Sequence, residues 1–236
     1  MTGHTPRHAI VIASGGLDSS AAAYLLADQG TTVSLLSFDY GQRHRRELDF
    51  AARIADQLGA SHTVVDMSSV GRLLTGSALT DPRVRVPDGH YRDATMRSTV
   101  VPNRNAIMLD IAAGAAVAAG ADAVAFGAHS GDHFIYPDCR QDFFEAISAS
   151  IRRGNDGFLA EDFAVLAPFL RCSKTEVVTA AARLGVPFEV TWSCYRGGKV
   201  HCGTCGTCVE RREAFVLAGV DDPTDYASPA SSGAVR

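Results

Sequence analysis

The stretch Ile10–Ser20, IVIASGGLDSS, has the composition of an anion cradle. An apolar run from Ala9 to Ala13 breaks at Ser14-Gly15-Gly16 and passes into SSAAAYLLADQG, the pattern of a strand feeding a tight turn and then a helix. The two glycines open backbone conformations closed to other residues and leave no side chain to block a close ligand. The first turn of a helix adds unpaired N–H groups and the positive end of its dipole. Ser14, Ser19 and Ser20 supply hydroxyls, and Asp18 sets a carboxylate beside them. A pyrophosphate suits this set. An ordinary turn with Ser14 or Asp18 as helix cap is the plainer alternative, although a cap needs far less than Ser-Gly-Gly-x-Asp-Ser. The stretch contains neither G-x-x-x-x-G-K-[ST] nor G-x-G-x-x-G.

A second chemical signature lies near the other end. Cys194, Cys202, Cys205 and Cys208 follow the order C-x7-C-x2-C-x2-C, with glycines between them. Four thiolates on a short, glycine-rich chain match the tetrahedral preference of structural zinc. An iron–sulfur cluster is the rival, but the x3-C-P continuation of ferredoxin motifs is replaced by Val209-Glu210-Arg211-Arg212. Unmetallated thiols are the third reading. His201 is a neighbour of Cys202 that either replaces a ligand or supports one. Four protein ligands leave no open position, so a metal here is structural and ties a loop to a helix over Glu210–Leu217.

The elements that must carry these residues follow from hydrophobic pattern and breakers. Strands are expected at Ala9–Ala13, Thr32–Phe38 and Ser61–Asp66, and helices at Ala21–Gln29 and Glu47–Leu58. That β-α-β-α-β order predicts a parallel sheet with helical crossovers, in which ligands bind beyond the carboxyl ends of the strands. Thr75–Ser98 lacks period and reads as a long flexible loop. An Ala-rich helix opens at Pro102-Asn103-Arg104-Asn105 and runs to about Ala119. Beyond it come a short buried strand at Ala123–Gly127, the polar stretch AHSGDHFIYPDCRQDF, and helices at Phe143–Ile151 and Ser173–Leu184. From Asp222 the chain is rich in Pro, Ser and Ala and is expected to fray.

Composition narrows the function classes. The chain has 236 residues, 46% hydrophobic and 20% charged, enough for one domain with additions around a buried core. Twenty-two Lys and Arg against 26 Asp and Glu leave a net charge of −4, which argues against a sequence-independent grip on nucleic acid. No apolar run approaches the ~20 residues of a membrane span. The N-terminal residues lack the long apolar region of a signal peptide, and the cysteine usage favours metal over disulfides, so a cytoplasmic location is expected.

SGGLDSS resembles the pyrophosphate loop of the ATP pyrophosphatase (PP-loop) superfamily, enzymes that adenylate a substrate and release pyrophosphate. SFDYGQRHRRE, VPNRN, YPDCR and WSC…HCGTCGTCVERREAF together are similar to the 7-cyano-7-deazaguanine synthase family, in the expected order and from about Ile10 to Tyr226. The resemblance implies an α/β fold with a parallel, Rossmann-like sheet of the adenine-nucleotide α-hydrolase type. The expected organisation is a PP-loop domain over 1–190 and a small C-terminal zinc-binding segment over 191–226, with a disordered tail over 227–236 on its composition. The implied reaction turns 7-carboxy-7-deazaguanine, ammonia and ATP into the nitrile of the queuosine pathway, with magnesium, one structural zinc and a homodimeric enzyme. No nucleic-acid or membrane partner is implied.

The resemblance places Ala13, Ser14, Gly15, Gly16, Leu17, Asp18, Ser19, Ser20, Asp39, Gln42, Arg43 and His44 at ATP, with Asp18 near magnesium. Arg104 opens a helix where its guanidinium fork can meet phosphate or carboxylate; a salt bridge within the helix turn is the alternative. Lys174 stands in a first helical turn, at phosphate or in solvent. A guanine-like ring wants carboxylates and an aromatic face, which Asp132, Asp138, Tyr136 and Phe134 offer, Asp132 and Asp138 being favoured; Arg140 is expected at the substrate beside them, and Asp138 serves equally as a helix cap. Cys139 reads as a packing residue. The chain departs from the family pattern at Asn103, where glycine is expected, and across His129–His133, where residues of the Glu-Thr-Asp type are expected. Two rival functions stand beside this one: a tRNA-modifying adenylase of the same superfamily, and a non-catalytic zinc scaffold. A nearer variant joins the same acid to a different amine.

Overall fold

A computed structural model of the protein describes residues 5–90 and 94–228. Five parallel strands form one sheet in the order β3-β2-β1-β4-β5: β1 His8–Ile12, β2 Thr32–Asp39, β3 Ser61–Asp66, β4 Ala123–Ala125 and β5 Ala164–Leu166. Ala9 is in register with Val33 on one side and Ala123 on the other, so β1 is the middle strand. Its alternate residues face opposite ways, as the strand period requires. Ala9 and Val11 pack with helices α1 (Leu17–Asp28) and α2 (Glu47–Leu58); Ile10 faces α4 (Arg104–Ala119) and α5 (Gln141–Gly154). Both faces being covered explains why the strands read as continuous apolar runs.

The chain winds outward from β1 to β3, then crosses back through the short α3 (Ser68–Gly71) and α4 to β4 on the other side of β1. A crevice therefore opens between the carboxyl ends of β1 and β4, where the direction of winding reverses. α1 shows almost no polar stripe because it is sandwiched between the sheet and α6 (Lys174–Arg183): Leu17, Ala21 and Ala22 meet Val177, Val178 and Ala181. α7 (Gly206–Ala218) completes this layer through Ala214 and Phe215.

Several elements differ from the sequence expectation. α1 begins at Leu17 rather than Ala21, so Asp18, Ser19 and Ser20 lie in its first turns. β5 was not foreseen; three residues, Ala164–Leu166, are too few for a periodic signal, and only pairing with β4 makes them a strand. The span 75–98 is not a flexible loop where described. It buries Ala78, Leu79, Val86 and Met96, and the Arg43 guanidinium donates to the carbonyls of Asp81 and Val84. The chain past Asp222 is also held: Ala227 N–H donates to His201 O at 2.8 Å and the Tyr226 hydroxyl to Asp222 at 2.6 Å. Residues 229–236, most of the expected disordered tail, lie outside the described residues. The cysteine segment shares a core with the body of the fold, since Cys194, Cys205 and Cys208 pack with Phe50, Ala78, Val86 and Trp192.

Candidate active site

The loop after β1 is shaped by contact with α2. Gly15 has φ +68°, and a Cβ there would stand 2.3 Å from Glu47 O and 2.6 Å from Ala51 N. No other residue type fits. Ser14 N–H donates to Ser19 Oγ at 3.2 Å and Gly16 N–H to Ser14 Oγ at 3.3 Å, which curls the loop over the start of α1. Gly16 caps α1 without a side-chain acceptor, so the helix presents its first N–H groups uncapped to the crevice. The far wall is the turn after β4. Gly127 presses so closely on α1 that a Cβ would meet Ser19 N at 2.6 Å and Asp18 C at 2.8 Å.

One cavity runs from this loop into the crevice. In its wall Lys174 Nζ lies 2.6 and 2.8 Å from the two Asp18 carboxylate oxygens, 3.5 Å from His129 Nε2 and 3.9 Å from Glu210. Lys174 is aimed there by its position as the first residue of α6, whose cap is a reciprocal Ser173–Glu176 box. Burial alone would push the Asp18 carboxyl up, but Lys174 and His129 outweigh it and hold the group below the usual range. Burial would likewise lower Lys174, yet Asp18 and Glu210 keep it raised. Glu210 has weaker compensation, and burial pushes it up to about 7. Asp18, Asp132 and Glu210 thus share the cavity wall with Lys174, and Glu47 lines it as well. That donor set suits a hard divalent cation shared with phosphate oxygens.

Another stretch of the lining is aromatic and hydroxyl-rich. Arg104 is half-buried with its Nη1 3.4 Å from the Tyr40 hydroxyl, and it forms no ion pair within 4.0 Å among the described residues. Burial pushes Tyr40 up to about 12. Tyr136 bonds the Thr99 hydroxyl at 2.6 Å and the Tyr195 hydroxyl at 3.3 Å. A half-buried guanidinium beside the Tyr40 hydroxyl, with no carboxylate at ion-pair distance among the described residues, can receive an anionic group of a ligand.

Of the residues expected at ATP or substrate, Ala13, Ser14, Gly16, Leu17, Asp18, Ser19, His44, Arg104, Asp132, Tyr136 and Lys174 line this cavity. Gly15 and Ser20 act from behind it, the latter with Oγ on Gly16 O at 2.8 Å. Five take other partners. Asp39 pairs with Arg45 at 2.6 Å; Gln42 holds Phe38 O, Tyr40 N and Glu47; Arg43 holds the 75–98 span. Asp138 accepts from Asn105 N at 3.1 Å, the capping alternative, and Arg140 donates to His133 O. Their sequence neighbourhood is right, but the tight turn after β2 and the start of α4 consume their side chains. Residues that sequence reasoning missed include Glu210, Glu47, Tyr40, Trp192, Ser193 and Tyr195. Thr207 and Glu210, three apart on α7, carried a signal, as did Tyr195 beside Cys194.

The four cysteine sulfurs lie within 4.8 Å of one another, with Cys202 and Cys208 at 3.9 Å. Tetrahedral zinc with Zn–S of ~2.3 Å would set sulfurs ~3.8 Å apart. Backbone N–H groups of Cys202 and Cys205 point at Cys194 and Cys202 sulfurs, at 3.4 and 3.3 Å, as thiolates require. The residues therefore fit a metal ion such as zinc. His201 is not among the ligands: it accepts from Ser193 N–H at 3.0 Å, and burial pushes it down to about 4. Trp192, Ser193 and Tyr195 flank Cys194, and Thr207 and Glu210 flank Cys208; all five line the cavity, so the cysteine cluster builds one of its walls.

The family model described as "Queuosine biosynthesis protein QueC" matches residues 8–219. The chain belongs to the QueC family. Curated relatives named 7-cyano-7-deazaguanine synthase include those of Rhizobium meliloti (strain 1021), 60% identical, and Rhizobium rhizogenes (strain K84), 58% identical. Each aligns over 220 residues, covering 93% of this chain and 92% of the relative. Among solved structures, an NMN synthetase from Francisella tularensis covers 93% of this chain and 79% of its own, at 12% identity and TM-score 0.48.

The two departures from the family pattern have physical readings. Asn103 takes φ +59°, the one non-glycine in the left-handed region among the described residues; asparagine tolerates that conformation where glycine is the natural choice. His129 is buried at the cavity wall, its Nδ1 accepting from Gly131 N at 3.1 Å, while His133 stays off the wall.

Proposed function

We propose that this QueC family chain converts 7-carboxy-7-deazaguanine and ammonia to 7-cyano-7-deazaguanine at the expense of ATP, through adenylated acid and amide. The observation that carries the reading is the joining, in one cavity, of an uncapped, glycine-dependent phosphate loop to Arg104, which has no ion pair within 4.0 Å among the described residues. ATP lies with its β and γ phosphates over Ser14–Ser19. A carboxylate oxygen attacks the α-phosphorus and pyrophosphate leaves into the loop, where Lys174 and the N–H groups of α1 accept its charge. Ammonia displaces AMP to give the amide; a second adenylation and loss of AMP give the nitrile. Asp18, together with ATP phosphates, would hold Mg²⁺, which would neutralise charge on the phosphates. Cys194, Cys202, Cys205 and Cys208 would hold a structural Zn²⁺.

Arg104 and the hydroxyls around it receive the anionic end of the acid, while Tyr136 and Asp132 face the ring. We also propose a homodimer, working in the cytoplasm on free small molecules. The pairing of basic residues supports small-molecule substrates over a tRNA: Arg45, Arg83 and, from the cysteine segment, Arg196 are each tied to an aspartate.

The test is product analysis with acid labelled by heavy oxygen in both carboxylate positions, incubated with ATP and ammonium. The nitrile mass is expected, with label in AMP in each of two cycles and none in pyrophosphate. Label in inorganic phosphate with ADP as product would mean attack at the γ-phosphorus and would refute the cradle reading.

A further inference from the structure

His44, Glu47 and Gln42 form a buried relay beside the phosphate loop that adenylation leaves without a task. Glu47 opens α2, and its carbonyl is the group against which Gly15 rests. Both of its carboxylate oxygens are engaged: Gln42 Nε2 donates to Oε1 at 3.0 Å and His44 Nε2 stands 3.2 Å from Oε2. A carboxylate only accepts, so this partner assigns the imidazole proton to Nε2 and leaves a lone pair on Nδ1. Nδ1 is buried without a hydrogen-bond partner among the described residues, although His44 lines the cavity. Buried polar atoms are ordinarily satisfied. The Tyr195 ring, 5.4 Å away centroid to centroid, holds the imidazole from the other side.

We infer that His44 Nδ1 is the base that removes protons from the nitrogen in both halves of the reaction; this rests on the proposed function. In the first half the ammonia lone pair bonds the carbonyl carbon of the acyl adenylate. The carbon–oxygen bond breaks with its electron pair on AMP, and the surplus proton on nitrogen passes to Nδ1. In the second half the amide oxygen bonds phosphorus and pyrophosphate leaves. The nitrogen then gives up its two remaining protons as the carbon–oxygen bond breaks onto AMP and the carbon–nitrogen triple bond forms. The nitrogen occupies one place throughout, so one base serves, returning each proton to solvent between steps. Glu47 is a positioning residue: it fixes the tautomer and stabilises the imidazolium.

Adenylation needs no base, which gives the test. ATP–pyrophosphate exchange with the acid and no ammonia reads adenylation alone; amide and nitrile formation with ammonium reads the nitrogen steps. For His44→Gln and His44→Ala the readout is nitrile formation relative to exchange in the same variant, because His44 also lines the ATP cavity. That ratio should fall ~10²-fold or more, with the acid KM unchanged. A smaller fall in the ratio, or a joint fall of exchange and nitrile in both variants, overturns the inference. So does a raised acid KM at unchanged kcat, because Nδ1 would then only accept from a ring N–H. Failure of the unsubstituted protein itself to catalyse exchange with this acid strikes instead at the functional reading.

Discussion

Gly127→Ala isolates the contact that places the phosphate loop. Gly127 has no positive φ, so alanine carries no backbone penalty there; the cost is contact alone. The new methyl would stand 2.6 Å from Ser19 N, 2.8 Å from Asp18 C and 2.9 Å from Ser19 Cα, all rigid backbone. Ordinary carbon contacts need ~3.5–4.0 Å, so the first turn of α1 must retreat by about 1 Å. Overpacking of this kind costs ~1–3 kcal/mol, which for a chain of this size lowers Tm by roughly 2–12 °C. A displacement of about 1 Å in a positioned reactant costs ~10²-fold in rate.

Gly120→Ala is the control. Gly120 has φ +62° with nothing within 4 Å of a Cβ, and it ends α4 about 24 Å along the helix from Arg104. Left-handed alanine costs ~1–2 kcal/mol, a similar loss of stability. Thermal melts and ATP–pyrophosphate exchange on both variants are the assay. Comparable Tm shifts with exchange lost only in Gly127→Ala are expected. Near-parental exchange in Gly127→Ala, or an equal loss in Gly120→Ala, would refute the reasoning.

Asp18→Ala is expected to lower pyrophosphate release by at least ~10²-fold while the fold persists, because Lys174 keeps Glu210 as a neighbouring carboxyl group; near-normal turnover sinks the assignment. Metal analysis should find about one zinc per chain, with Cys194 protected from alkylation in the folded protein; iron with sulfide, or a freely alkylated Cys194, overturns it. Asp222→Asn weakens the pair with the fully buried Arg211, at a cost of roughly 2–3 kcal/mol given that Thr191, Ser193 and Phe188 O still accept from the guanidinium. Burial raises the Asp222 carboxyl most, but Arg211 together with the hydrogen bonds from Tyr226 and Thr224 more than offsets it, so its folded value lies below the usual one. The stabilisation is therefore full above the unfolded value of ~3.9 and disappears as pH falls through the folded value. Urea midpoints of the two proteins should differ at pH 7 and converge in acid; a constant gap refutes the pairing.

By itself the sequence determined whatever depends on short spacing. Ser-Gly-Gly-x-Asp-Ser, the alternation of apolar runs with helical segments, and C-x7-C-x2-C-x2-C each report a local geometry within a few residues of themselves. The β-α-β-α-β frame and helix Glu47–Leu58 were legible for that reason, as was the gathering of the four cysteines. Tertiary structure decided what depends on distant segments meeting. The three-residue β5 exists only because β4 offers it a ladder. Gln42 and Asp138 have the chemistry of ligand contacts, but neighbouring backbone and side chains take their hydrogen bonds first. Glu210 looked like an ordinary helical glutamate until α7 packed beside α6 and brought it 3.9 Å from Lys174 and into one cavity with Asp18, 192 residues earlier in the chain (210 − 18). The physical reason is range. Turn geometry and helix caps are set by the few residues that make them, whereas a buried charge cluster draws its energy from groups that only the assembled sheet and its flanking helices bring together.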